Sequence, residues 1–440
     1  MTSELFAQLF LPDAVRDAVC DRAWVEAMLA FEAALAAAEA RAGLVPREAA
    51  EAIAQACDPD RLDPAALARE GRRAGNPAAP LVRALSEQVG GEAAGHVHRG
   101  ATSQDVMDTA AMLVARRALG PIAADLDGVA AACATLADEH RATPMAGRTL
   151  LQQALPITFG LKAAGWLNAV VEARRRLAAV PLAVQLGGAA GTLASLGADG
   201  ARVLGLLAEE LGLEEPPVPW HTARGRVAEL GAALSIAAGT LEKVGRDLTL
   251  LVQTEVGEAA EAGDGRGGSS TLPHKRNPVG SVLTIACARR ARAEALLLLD
   301  AMAQEHERAA GAWQAEWEAL VGALAYAGGA AAALREALEG LEVRPQRMRE
   351  NLEATGGLLL AEAVTTALSG ALGRAEAHRR VQAAARRAAE SDRPFRAELV
   401  GDPGITLSSE EIDRVLDPQS YLGSAEAFVD RALALYRDAT

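Results

Sequence analysis

The stretch LGAALSIAAGTLEKVGRDLTLL (Leu230–Leu251) decides the fold class. Its residues Leu230, Leu234, Ala237, Leu241, Val244, Leu248 and Leu251 step by four and three, which puts them on one helix face as a bundle seam. The window from Pro219 to Pro273 holds no other proline. Further proline-free windows run from Pro80 to Pro121, from Pro156 to Pro181 and from Pro278 to Pro345, each with helical periodicity. No segment shows sustained strand alternation or an Asn-Gly hairpin signal. The expected fold is all-α.

Composition agrees with the seam. Half of the 440 residues are apolar but only 3% are aromatic, so the core must be built from Ala, Leu and Val, and small side chains let helices approach closely. Three regions are expected. Residues 1–100 hold short helices broken by turns such as DPDRLDP and GNPAAP, residues 101–345 hold the long helices, and residues 346–440 are short-helical again. In the last region the breaks fall at Thr355–Gly357, Ser391–Pro394 and Gly401–Gly404. Long Ala/Leu-rich helices often bury their remaining faces against copies of themselves, so a homo-oligomer is expected.

The formal charge of −14 argues against nucleic-acid or anionic-membrane partners. An anionic substrate must therefore meet cations gathered locally. Cys20, Cys57, Cys133 and Cys287 are scattered, without CxxC or Cys/His ligand spacing. They read as buried thiols in a reducing compartment, with no metal site and no disulfide framework. The N-terminal MTSELFAQLFLPDAVRDAV lacks a continuous apolar core, and no apolar run approaches the ~18 residues of a membrane helix. The expected location is cytoplasmic.

One segment is out of keeping with its helical surroundings. GDGRGGSSTLPHKRNP (residues 263–278) is glycine-rich in its first half and concentrates Ser269, Ser270, Thr271, His274, Lys275, Arg276 and Asn277 in its second. Such a segment is either a solvated connector or a loop that closes over an anionic ligand and excludes water; its length and donor density favour the second reading.

Residues 267–278 resemble the signature of the fumarase/aspartase superfamily, GSSxMPxKxNP, with Leu272 in the usual Met position. HVHRGATSQDVMDTA (His96–Ala110) and GRTLLQQALPITFG (Gly147–Gly160) resemble the superfamily's first and second regions, in the right order. The resemblance covers nearly the whole chain. It implies a cofactor-free enzyme acting next to a carboxylate, and a homotetramer with each active site assembled from several subunits. It also implies a catalytic proton-transfer role for Ser269, whose alkoxide needs backbone N–H groups and a cation such as Lys275. Ser270, Lys275 and Asn277 map onto residues that hold the substrate carboxylate or the developing enediolate. Thr102 and Ser103 match carboxylate-binding hydroxyls, Gln152 matches an amide of the second region, and Arg148 joins the carboxylate-binding candidates. Arg308, in QEHERAAGAWQAEW (Gln304–Trp317), matches an arginine of the adenylosuccinate lyases. His98 reads as catalytic or structural, and Trp313 and Trp317 read as packing.

Among branches of the superfamily, GNPAAPLVRAL (Gly75–Leu85), QLGGAAGTLASLG (Gln185–Gly197) and PWHTARGRVAEL (Pro219–Leu230) resemble the bacterial 3-carboxy-cis,cis-muconate cycloisomerases. Adenylosuccinate lyases carry RTHGQ in the second region, where the His protonates a departing amine. Here Leu150 stands in its place. A carboxylate, with a conjugate-acid pKa of about 4, leaves or attacks without that proton. Leu150 therefore favours lactone formation. The alternatives are an adenylosuccinate-type C–N lyase with its acid supplied from elsewhere, an elimination expelling another stable anion, and a non-catalytic helical scaffold. Arg99, where Trp is common in the cycloisomerases, and Ala223 with Gly225 around Arg224 depart from that branch's pattern.

Overall fold

The computed structural model describes residues 4–261, 267, 268, 271, 272, 274–391 and 393–439. The fold is all-α, as expected, with eighteen α-helices among the described residues. The longest are Ser103–Glu139, Ala312–Glu339, Gly225–Leu251, Val279–Asp300, Asp21–Arg41 and Phe159–Ala178; Asp21–Arg41, of 21 residues, lies in the region expected to hold short helices. All seven seam residues of the Gly225–Leu251 helix are buried, each leucine contributing about 2 kcal/mol by leaving water.

Chain contacts cluster into two compact units. The first comprises Met1–Leu126, Ala173–Glu242 and Leu283–Ala333, and the second Asp127–Glu172, Lys243–Val282 and Leu334–Thr440. In the first, Ile53, Ala49 and Ala50 pack with Ala36 and Val45 in a small core that joins Asp21–Arg41 to Arg47–Ala56. The helix Pro64–Ala74 shows how local sequence sets its ends. Asp63 accepts a hydrogen bond from the Ala65 N–H, Pro64 supplies the first turn, and Gly75 (φ 75°) stops it in the left-handed region. In the second unit Val364, Leu368, Val381, Phe395, Leu399 and Ile412 form the core of the C-terminal helices. A capping box between Ser408 and Glu411 opens the last of these to contribute to it, Ser409–Val415.

Four features depart from the sequence expectation. Pro121, read as a boundary, lies inside the Ser103–Glu139 helix. Burial of Ala118, Ile122 and Leu126 around it outweighs the roughly 3 kcal/mol that an interior proline costs. The window from Pro278 to Pro345 is broken between Asp300 and Ala312, and the break carries Arg308. Pro144–Thr149 and Gln152–Thr158 form an antiparallel hairpin whose register shifts between Ala146 and Arg148. Lastly, Ser103–Glu139 and Ala312–Glu339 are long and apolar enough to cross a membrane by length and composition. The first of these nevertheless carries buried Asp105 and Asp108, and the second buried Glu316.

The cysteines are all free. Cys133 and Cys287 are buried, as expected, whereas Cys20 and Cys57 are half-buried at helix ends. Burial pushes the Cys57, Cys133 and Cys287 thiols up to about 12, so each is a neutral, inert thiol.

Candidate active site

In the first unit, the candidate residues Thr102 and Ser103 lie at the N-terminus of the Ser103–Glu139 helix. Unpaired backbone N–H groups and the helix dipole favour negative charge there. Asp105 reaches back to accept from the Thr102 N–H at 2.9 Å, and the same carboxylate accepts from Gly187 N (2.9 Å) and Gly188 N (2.9 Å). His221 Nε2 lies 2.6 Å from its Oδ1. Asp105 is fully buried, and it joins the helix start to the 187–188 segment and to His221.

Arg308 reaches the same place from the break at residues 301–311. Its Nη1 donates to Thr102 Oγ1 at 2.9 Å, and its Nη2 donates to the Ala189 carbonyl at 3.1 Å. Its Nε is buried and has no hydrogen-bond partner among the described residues. Gly188 (φ 67°) is required here, since a Cβ would stand 2.8 Å from the Gly100 carbonyl. The fold thus brings Thr102 and Arg308 together, with Ser103 as the first residue of the helix.

His98 sits just before this cradle in a left-handed conformation (φ 59°). Its Nδ1 lies 2.7 Å from Glu32 Oε1. Desolvation opposes its charge, but Glu32, with Asp105 and Glu39, outweighs it and raises the imidazole above its ordinary range. Burial pushes the Glu39 carboxyl up to about 8; Arg99 opposes the shift, Glu32 adds to it and His98 opposes it. Arg99, where Trp is common, donates to the Leu44 carbonyl at 2.7 Å.

A buried charge network supports the cradle. Arg224 donates to Asp108 (2.7 and 3.0 Å) and to Glu316, and Asp108 also accepts from Trp313 Nε1 at 2.9 Å. Trp313 and Trp317 stack edge to face at 4.9 Å, so Trp313 both packs and donates to the network. Gln104 ties the network to the His221 carbonyl at 2.8 Å. Sequence reasoning missed Glu32, Glu39, Asp105, Asp108, His221, Arg224 and Glu316. Asp105 and Asp108 lie inside the quoted first region, and a three-residue spacing on a helix was the available signal.

The second unit holds the other candidates. Arg148 closes a fork on Glu258 at 2.9 and 2.7 Å, and Asn351 Nδ2 donates to the same carboxylate at 2.8 Å. Glu258 is completely buried. The guanidinium proposed from sequence as a carboxylate ligand is thus engaged within its own chain, where it fixes the hairpin. Beyond it the hairpin turns at Leu150 (φ 51°) and Leu151 (φ 67°), which are 97% and 73% exposed. Positive φ at both central residues is a type I′ turn, a place for Asn and Gly rather than leucine. Gln152 follows the turn and is exposed.

In the loop, Asn277 donates from both its backbone N–H and its Nδ2 to the Gly267 carbonyl at 2.9 Å, so its amide draws the loop's two ends together. Glu261 accepts from Gly280 N and Ser281 N at 2.9 Å and fastens the start of the following helix. Lys275 is exposed. Ser269 and Ser270 lie outside the described residues. Elsewhere in this unit, burial holds the Lys162 ammonium below its ordinary range, with Asp247 opposing; nothing in the sequence marked it.

A family described as Lyase matches residues 12–292, and one described as Adenylosuccinate lyase C-terminus matches residues 357–432. The 3-carboxy-cis,cis-muconate cycloisomerase of Pseudomonas aeruginosa is 50% identical over 98% of this chain and 96% of its own length. The nitrosuccinate lyase of Streptomyces davaonensis is 48% identical over 95% of this chain and 92% of its own. The crystal structure of the 3-carboxy-cis,cis-muconate lactonizing enzyme from Pseudomonas putida superposes with a TM-score of 0.94 at 45% identity, covering 99% of this chain and 100% of that one. Its helical layout, its signature loop and these matches agree, and the chain belongs to the fumarase/aspartase superfamily of lyases.

Proposed function

We propose that this chain is a cofactor-free cycloisomerase that interconverts 3-carboxy-cis,cis-muconate and 4-carboxymuconolactone. The observation that carries the reading is Leu150. The hairpin tip is exposed and bears no ionisable group, so it cannot protonate an amine; a carboxylate, its conjugate acid having a pKa of about 4, needs no such proton. High identity to the Pseudomonas aeruginosa cycloisomerase supports the same substrate.

In the lactonising direction one substrate carboxylate attacks a double bond, and the C–O bond forms as the π pair moves to the carbon next to another carboxylate. Ser269, or a group acting with it, delivers a proton to that carbon; in reverse it removes the proton. Lys275 and the glycine-rich backbone stabilise the serine alkoxide. Thr102, Ser103 and Arg308 hold one carboxylate at the helix N-terminus, with His98 beside them. Gln152, Ser270 and Asn277 complete the set, and Arg148 acts by holding the hairpin. Because the reaction is intramolecular, much of the catalytic task is folding a flexible triacid into a near-attack geometry.

The active form is a cytoplasmic homotetramer with shared sites. Exposed Ile236, Leu250, Val282 and Leu296 on the long helices support burial against other copies. The three-region division at residues 100 and 345 belongs to this reading.

A second reading has its own observation. Nitrite is also an anion that leaves without a proton, so Leu150 fits an elimination of nitrosuccinate type, and the nitrosuccinate lyase is 48% identical. Purified protein should remove the ultraviolet absorbance of 3-carboxymuconate without added metal or cofactor, and Ser269→Ala should reduce the rate at least 100-fold, within the range of about 10²–10⁴ for general acid–base groups. No turnover of that substrate, together with nitrite release from nitrosuccinate, would transfer the assignment to the second reading.

A further inference from the structure

Glu32 and Glu39 stand seven residues apart on the Asp21–Arg41 helix, on one face, and both are buried. Glu32 meets His98 at 2.7 Å. Glu32 Oε2 and both oxygens of Glu39 are buried without a hydrogen-bond partner among the described residues. Arg99 acts on Glu39 as a nearby cation, but its Nη1 donates to the Leu44 carbonyl and Glu39 receives no hydrogen bond among the described residues; a buried charge without a hydrogen-bonded partner is too costly to persist. One of the two therefore holds a proton, and the contact with His98 decides which. Glu32 has His98 as a hydrogen-bonded partner at 2.7 Å, while Glu39 has no hydrogen-bonded partner among the described residues, so the proton is assigned to Glu39.

We infer that Glu32 and Glu39 are positioning residues that set the charge of His98, ionised Glu32 accepting from Nδ1–H while neutral Glu39 leaves the imidazolium uncancelled, so that Nε2–H is offered to a substrate carboxylate. This rests on the polycarboxylate reading of the cradle. The groups facing the trio agree with it. Desolvation opposes charge on His98, yet Glu32, Asp105 and Glu39 leave it raised. Glu39 is pushed up to about 8 despite Arg99, and the neighbouring Cys57 thiol, at about 12, stays neutral. While Glu39 holds its proton, Glu32 is the acid of the trio that pairs with His98. Once Glu39 ionises the trio gains a second negative charge, and the cradle repels a polycarboxylate.

The test is a histidine side-chain NMR titration of the full-length protein, with His98→Asn to assign the resonance, alongside KM and kcat for 3-carboxymuconate from pH 6.5 to 9.5. Glu32→Gln should lower the His98 midpoint by about one unit or more. In the parent, His98 should show a second inflection near pH 8, and KM should rise about tenfold above it with little change in kcat. Glu39→Gln should abolish both the inflection and the KM rise, and Glu32→Asp should restore part of the midpoint lost in Glu32→Gln. A His98 midpoint indifferent to Glu32→Gln, or an alkaline KM rise that survives Glu39→Gln, overturns the inference. If the titrations behave as stated while 3-carboxymuconate is not turned over, the charge unit stands and the substrate assignment falls.

Discussion

Replacing Glu258 by Gln tests how the hairpin is held. Glu258 is completely buried and takes three hydrogen bonds, two from the Arg148 fork at 2.9 and 2.7 Å and one from Asn351 at 2.8 Å. Glutamine keeps the volume but removes the counter-charge, and it places an N–H₂ group where an oxygen had accepted. Breaking a buried ion pair from one side costs about 3–5 kcal/mol. The Arg148 side chain is 22% exposed, so water relieves part of that charge and about 3 kcal/mol is expected. Urea unfolding at fixed protein concentration would measure the loss, and kcat/KM should fall with it as Gln152 and the tip lose their fixed base. The double replacement Arg148→Met with Glu258→Leu should recover most of the stability and little of the activity, because the charge to be paired is gone but the fork's geometry is gone as well. A stability change below about 1 kcal/mol for Glu258→Gln would refute the clamp. So would an Arg148→Met variant that raises KM alone with stability unchanged, since that is the behaviour of a direct substrate ligand.

Arg224→Met should cost about 3–5 kcal/mol, because it leaves Asp108 and Glu316 buried without a cation; thermal unfolding at fixed concentration would measure it. Replacing Leu150 by Asn and Leu151 by Gly should raise hairpin stability by about 1–2 kcal/mol per relieved residue, read as slower amide hydrogen exchange at Thr149 and Gln152. Unfolding of the whole protein should also depend on pH through Glu39. Its folded pKa of about 8 exceeds its ordinary 4.5, so between those values the native state holds a proton that the unfolded chain has lost. Stability is then full below about 4.5 and declines by about 1.4 kcal/mol per pH unit up to about 8. Glu39→Gln should flatten that slope in urea titrations.

The helical fold was legible in the spacing of the Leu230–Leu251 seam, because a packed helix face leaves a periodic trace in sequence. The hairpin left none. Pro144, Gly147 and Pro156 interrupt its alternation, and leucines occupy a turn that normally advertises itself with Asn and Gly, so tertiary anchoring at Arg148 overrides local preference. Pro121 misled for the same reason, since packing around it outweighs its local cost. At the site, Thr102 and Arg308 could be named from motif resemblance, and the structure gives their contact. Glu32 and Glu39 could not, since two glutamates in an alanine-rich helix read as a solvated face until the fold buries them. Asn277 and Arg148 were recognisable as residues of importance, but their engagement with Gly267 and Glu258 becomes visible only once distant segments meet.

The tip at Leu150 and Leu151 also bears on how this scaffold diversifies. Its two side chains project into solvent while the charge that anchors the hairpin, on Arg148, lies just two residues before the turn, so the tip resembles an exchangeable bit in a fixed holder. On the proposed reading, a residue swapped there would alter which leaving groups can be served, while the buried framework would have nothing to repack.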